Sequence, residues 1–119
     1  MSTGPQELRD RTKAFAVRIV KLYRSLPHTA DSQVVGKQLL RCGTAVAANY
    51  RAACRGRSRA EWIAKIGLVV EEADETAFWL EMLSDCDMVN GERCKDILKE
   101  ACELSAIFTA SRHTARRTG

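Results

Sequence analysis

The sequence predicts an all-α fold, an antiparallel up-and-down four-helix bundle formed by residues 1–119 as a single domain. Three observations carry that prediction. Apolar residues recur in long 4-3 steps, the spacing of one helix face. Pro27, Gly56 and Asn90-Gly91 punctuate the chain between those stretches. No segment alternates apolar and polar residues as a half-buried strand does. A chain of this length buries roughly two thirds of its unfolded surface, enough for an independent core.

The first helix is expected over about residues 5–26. Leu8, Thr12, Phe15, Ile19, Leu22 and Leu26 form its seam, with one polar member. Pro5 suits a first helical turn and Pro27 ends the helix. The second helix is expected over 32–55, capped at its start by Asp31 or Ser32. Val35, Leu39, Cys42, Val46, Tyr50 and Ala53 face inward, and Gly56 supplies the C-terminal cap. Ser58-Arg59-Ala60-Glu61 is a capping box that opens a third helix over 59–88. Its seam is Trp62, Ile66, Val69, Ala73, Thr76, Leu80 and Leu83. Asn90 caps a fourth helix over 91–111, with Cys94, Ile97, Leu98, Ala101, Leu104 and Phe108 on one side. Residues 112–119 are expected to be a frayed basic tail.

Composition narrows the function classes. Hydrophobic residues make up 45% and charged residues 29%, an ordinary globular balance. No apolar run is long enough to span a membrane, and the first residues lack the apolar core of a signal peptide. The five cysteines have no C-x-x-C spacing, so the expectation is reduced, small, buried side chains in a cytoplasmic protein. The net charge of +4 hides an asymmetry: residues 1–28 carry +4, 29–60 carry +5, 61–89 carry −7 and 90–119 carry +2.

Catalytic chemistry finds no foothold. His28 and His113 lie far from any nucleophile with an orienting acid. There is no glycine-rich phosphate loop. The acidic set Glu71, Glu72, Asp74, Glu75 and Glu81 lacks the Glu-x-x-His pairs of di-iron bundles, so no metal and no cofactor is expected. Antiparallel pairing about the Gly56-Arg57 turn instead sets Arg41 opposite Glu72 and Lys37 near Glu75, a structural ion pair on the flank.

Three further features concern partners. Arg51, Arg55, Arg57 and Arg59 crowd the second turn with no acid among them. Guanidinium forks suit phosphate oxygens, so this corner is a candidate nucleic-acid site, with Arg11, Arg18, Lys21 and the tail widening it. A solvated turn whose arginines pair with third-helix acids is the alternative. Gly36, Gly43 and Ala47 form a small-residue stripe that calls for close approach of another helix, within the bundle or from the next subunit. Trp79 and Phe78 flank the Leu80 seam position. Either one of them faces a subunit interface or a broad apolar face buries both. Asn49 beside Tyr50 is expected to be a satisfied buried amide that fixes helix register.

The run LLRCGTAVAANYRAACRGRSRAEWIAKIGLVVEEADETAFWLEML, with LYRSLP before it and ELSAIFTASR after it, resembles the bacterial four-helix-bundle proteins encoded in intervening sequences of large-subunit ribosomal RNA genes. The elements ANYR, RSRAEW, EEADET and WLE at this spacing carry the resemblance. It implies a homo-oligomer, a ring-shaped pentamer, with no enzymatic activity. It also implies similarity in fold to the accessory protein of diversity-generating retroelements, which binds nucleic acid and a reverse transcriptase. RNA or DNA and a protein of that kind are therefore implied partners, and the resemblance favours a contact between subunits for the Gly36, Gly43 and Ala47 stripe, with Phe78 and Trp79 the candidates that their position beside the seam supplies. The chain departs from the family at Ala45 and Ala47, where Ser and Gly are common, and at Ala52, where Glu is common. The last change leaves the Arg51–Arg59 corner more positive. A protein-binding adaptor or structural ring without nucleic-acid contact is the rival reading.

Overall fold

A computed structural model describes residues 4–117, which form four helices. Pro5 opens α1 (Pro5–Arg24), whose backbone is closed by Ser25: its N–H and hydroxyl both donate to the Leu22 carbonyl, at 3.0 and 2.7 Å. The helix thus ends two residues before Leu26, which nevertheless turns into the core. α2 (Ala30–Cys54) begins earlier than expected because Thr29 is its N-cap. The Thr29 hydroxyl accepts from the Ser32 N–H at 3.4 Å while Asp31, already helical, accepts from the same N–H at 2.8 Å. Gly56 is not a left-handed cap; Arg55 closes α2 at φ −99°, ψ 8°.

α3 (Arg59–Asp85) starts at the Ser58 cap, with the Glu61 N–H donating to Ser58 Oγ at 3.1 Å. The Glu61 carboxylate reaches one residue further back than a capping box requires, to the Arg57 N–H. The helix stops at Asp85 because Asp87 adopts φ 58°. There the Met88 N–H returns to the Leu83 carbonyl and the Asp87 N–H to that of Ser84, at 2.9 and 3.1 Å, the two bonds of a Schellman motif. α4 (Gly91–Arg117) follows the Asn90 side chain, which accepts from the Glu92 N–H at 2.9 Å. It continues well beyond residue 111: the expected frayed tail is helical through Arg117. Nothing in SRHTARR breaks a helix, Arg116 and Arg117 complement the C-terminal dipole, and Thr114 and Ala115 line a cleft with Trp62.

α2 packs against α1 and α3, and α3 packs against α2 and α4. α1 meets α4 sparsely and makes no close backbone approach to α3, so α1 and α3 occupy opposite corners of a bundle measuring 48 × 26 × 21 Å. Phe15, Ile19, Leu39, Ile66, Leu80, Leu104 and Phe108 are fully buried, each stabilising the fold by about 1.5–3 kcal/mol over exposure. Thr12, the polar member of the first seam, is also buried and donates to the Leu8 carbonyl at 2.8 Å. Two seam residues are only half-buried, Trp62 and Leu98. Trp62 opens instead onto the cleft beside the end of α4.

The glycines of α2 serve the bundle itself. A Cβ on Gly43 would stand 2.8 Å from two carbons of Ile19, and one on Gly36 would stand 2.7 Å from Leu26 and 3.0 Å from Tyr23. Both residues are buried under α1, so the small-residue stripe brings α1 close to α2 and presents no glycine to a second subunit. Ala47 is half-buried at the margin of the same contact. Asn49 spans no helices: its amide donates to the Ala45 carbonyl of its own helix at 3.0 Å. The five cysteines are free, Cys42 and Cys94 buried, Cys54 half-buried, and Cys86 and Cys102 exposed rather than interior.

Candidate functional site

Arg51 and Arg55 lie one turn apart at the end of α2, and Arg9 and Lys13 lie one turn apart at the start of α1. The Gly36–Tyr23 and Gly43–Ile19 contacts run the helices antiparallel, and continuing that register brings the two pairs together. They surround an open groove of about 360 Å³ floored by Thr44, Ala47 and Ala48. No carboxylate lines it. Arg55 is shared with a neighbouring groove that also holds Arg57, Lys65 and one carboxylate, Glu61. That carboxylate is committed to the Arg57 backbone N–H. Arg59 is exposed at the first position of α3, outside both grooves.

Among the described residues, none of these cations forms an ion pair; Arg9 donates only to the neutral side chain of Gln6, at 2.8 Å. The corner therefore carries uncompensated guanidinium groups in front of small, uncharged side chains. Such a surface attracts anions with several oxygens, phosphodiesters above all, and its grip weakens with salt.

The other basic residues of α1 divide differently from the expected widening of this corner. Arg11 faces α4, where its Nε and Nη2 fork onto Glu100 at 2.8 and 2.7 Å and Nη2 also meets Glu103 at 3.1 Å. The Glu100 hydrogen bond and the two negative charges hold this guanidinium even more firmly protonated than usual, so Arg11 is neutralised within the fold. Arg18 and Lys21 lie on the α4 flank with Arg93. Arg9 and Lys13, which sequence patterning alone did not select, complete the groove. Their four-residue spacing was visible; what pairs them with Arg51 and Arg55 is the α1–α2 register.

On the other side of α2, Arg41 lies against Glu72 at 3.4 Å and also meets Glu75. The expected Lys37–Glu75 pair is absent from the ion pairs among the described residues. Glu72 and Glu75 are adjacent on one helix face, and the longer planar fork of Arg41 spans both. Glu75 additionally accepts from the Trp79 indole N–H at 3.2 Å, which holds Trp79 half-buried. Phe78 packs edge-on against it, with centroids 4.8 Å apart, and is 51% exposed. Leu68, 41% exposed, is a second exposed apolar side chain on the outer side of α3, with the exposed Glu71 between the two.

Burial raises the thiol pKa of Cys42 and Cys94 and, with the neighbouring Cys54, that of the Tyr50 phenol. None of these groups is thereby activated as a nucleophile at neutral pH. Among the described residues no three His, Cys, Asp or Glu side chains converge to hold a metal ion, and no helix is long and apolar enough to cross a membrane.

No curated protein matches this sequence. The chain is similar to a solved protein from Bacteroides thetaiotaomicron, described as a protein with unknown function from the S23 ribosomal protein family. The two share 35% sequence identity and a TM-score of 0.83, over 88% of this chain and 97% of the other. The family model of the 23S rRNA-intervening sequence protein matches residues 6–110, from the first turn of α1 to the end of the buried part of α4. With the match spanning nearly the whole bundle, the chain belongs to the 23S rRNA-intervening sequence protein family.

Proposed function

We propose that this protein is a non-enzymatic, ring-forming homo-oligomer of the cytoplasm that binds the phosphate backbone of RNA or DNA. The contact is the α1–α2 groove of Arg9, Lys13, Arg51 and Arg55, with Arg57 and Arg59 at its margin. The observation that supports this most is the groove's lining: four cations around small neutral side chains, with no carboxylate. A polyanion releases counterions as each phosphate meets a cation, so such a surface gains affinity at low salt without reading sequence. Ring assembly, a pentamer by likeness to the family, repeats the groove on every subunit, and avidity then strengthens a weak single contact. The exposed α3 face around Leu68 and Phe78 supports the assembly. The free thiols suit a reducing compartment.

The test is a mobility-shift titration across salt concentrations with protein of known oligomeric mass. Replacing Arg51, Arg55, Arg57 and Arg59 by Ala removes only exposed side chains. It is expected to lower affinity at least about tenfold and to flatten the salt dependence by about 0.9 for each phosphate that is no longer neutralised. A quadruple variant that binds as the parent does, at every salt concentration, refutes the proposal.

A further inference from the structure

Arg9 and Lys13 begin a row that does not end at the α1–α2 groove. Residues four apart on a helix form a ridge inclined to its axis, and the ridge through these two continues to Val17 and Lys21. Lys13, Val17 and Lys21 are all exposed, Val17 by 43%. The incline carries the ridge from the α2 flank of α1 across its solvent face to the α4 flank. There Lys21 joins Arg18 and, from the first turn of α4, Arg93 around a cleft of about 310 Å³. The partial positive charge of the α4 N-terminus adds to these three cations. Three carboxylates lie nearby: Asp96, which lines the cleft, Glu92, beside Arg93 in the first turn of α4, and Asp10, which accepts from the Gln6 amide at 3.0 Å.

The two ends of the ridge share one chemistry. Both gather cations around small or aliphatic side chains, the second with one carboxylate, Asp96, among its three cations, and neither has an aromatic ring. Proteins that hold single strands stack bases on aromatic faces. A surface without them grips the backbone, whose spacing is regular only when the strands are paired. From Arg9 to Lys21 the ridge rises about 18 Å at 1.5 Å per residue, which corresponds to roughly five base pairs of duplex. We infer that the exposed ridge of α1 is a track for double-helical nucleic acid, running from the α1–α2 groove over Val17 to a second phosphate-binding site at Arg18, Lys21 and Arg93. This rests on the function proposed above and adds to it a ligand class and a second contact.

Fluorescence-anisotropy titrations of the full-length protein test the track. The probes are blunt duplexes of about twelve base pairs, one RNA and one DNA, and single strands with the same number of phosphates. Each salt slope reports the phosphates neutralised. The Arg18→Ala/Lys21→Ala/Arg93→Ala variant is expected to bind duplex at least about tenfold more weakly, with a salt slope shallower by about 0.9 for every phosphate left without its cation. Val17→Lys is expected to tighten duplex binding and Val17→Glu to weaken it. All four positions are accessible at the surface, and unchanged helicity and unfolding midpoints confirm that the fold is retained. If the triple variant binds duplex as the parent does while Arg51→Ala/Arg55→Ala loses affinity, the groove stands and the track is refuted. If neither variant loses affinity, the track falls together with the proposed function. Single strands bound as tightly as duplex overturn the ligand class.

Discussion

At the scale of single residues, Gly43 decides how near α1 and α2 can come. A methyl group there would lie 2.8 Å from Cγ1 and Cγ2 of Ile19 and 3.2 Å from its Cβ. Ile19 is fully buried and branched at Cβ, so it has no flexible tip to move aside. Alanine is the better helix former by about 0.5–1 kcal/mol, but overpacking a core costs about 1–3 kcal/mol. The second effect wins, and Gly43→Ala is expected to destabilise the protein by about 1–2 kcal/mol. Gly36→Ala should cost less, because the nearest atom to its Cβ is the tip of the Leu26 side chain, with the edge of the half-buried Tyr23 ring next at 3.0 Å, and neither is branched at Cβ as Ile19 is. Urea unfolding of the two variants measures the order. A Gly43→Ala protein as stable as the parent would mean that the helices are further apart than the structure has them. The same glycines show where sequence reading stops. Their need for a close neighbour was legible in the helix period; which neighbour, α1 or another subunit, was not, because one small side chain serves either contact.

Among the elements, α1 is the one held least evenly. It packs closely on α2 but meets α4 sparsely, and there the Arg11 fork onto Glu100 and Glu103 closes the seam. Arg11 and Glu100 retain 28% and 19% of their side-chain exposure, so the pair is partly shielded from water. Arg11→Ala leaves Glu100 partly buried without its partner, and an expected loss of about 1–2 kcal/mol follows. Arg41→Ala breaks a pair whose arginine is 51% exposed, and its cost stays below about 1 kcal/mol. Native-state hydrogen exchange separates them: Arg11→Ala should speed exchange in α1 ahead of the other helices, whereas Arg41→Ala should leave α1 unchanged. Uniform acceleration across all four helices would contradict the latch. The four helices were legible because their seams and their breakers agree, and all six residues of the first expected seam are indeed buried, Leu26 just beyond the end of α1. The ends were legible only where a local cap fixes them. Ser58 and Asn90 did so; Asp87 in a left-handed conformation carries no glycine to announce it. The last turns of α4 looked like tail because their side chains are basic, yet helix continuation depends on backbone and on the Trp62 cleft. The candidate site was half legible: Arg51 and Arg55 stand out as a charge run, while Arg9 and Lys13 join them only once two helices are set in register.

Across the whole molecule, charge and apolar surface are segregated by corner. α1, α2 and the turn after α2 present most of the free cations of the two grooves, whereas the segment 61–89, which contains most of α3, carries a net −7. α1 and α3 sit at opposite corners of the bundle, so the basic ridge and the acidic helix face away from each other. A phosphate backbone on α1 therefore avoids the repulsion of α3, and α3 is left free to meet another copy of the chain. Its outer face carries Phe78 and Leu68, exposed, beside partly buried Trp79 and Met82, with Glu71 and Glu75 among them. Phe78→Asp places a charge in the middle of that face without entering the core, since the side chain is half exposed in the single chain. In the proposed ring each subunit offers this face once, so one substitution weakens every joint. Light scattering on a sizing column is expected to show the mass of the variant fall to the 13.2 kDa of one chain, with helicity unchanged. Binding to a long duplex should fall with it by about a hundredfold or more, because the grooves no longer act together, while binding to a duplex short enough to occupy one subunit should not change. A Phe78→Asp protein that keeps the parent's mass moves the joint away from α3, and a parent that already runs at 13.2 kDa removes the ring and with it the avidity.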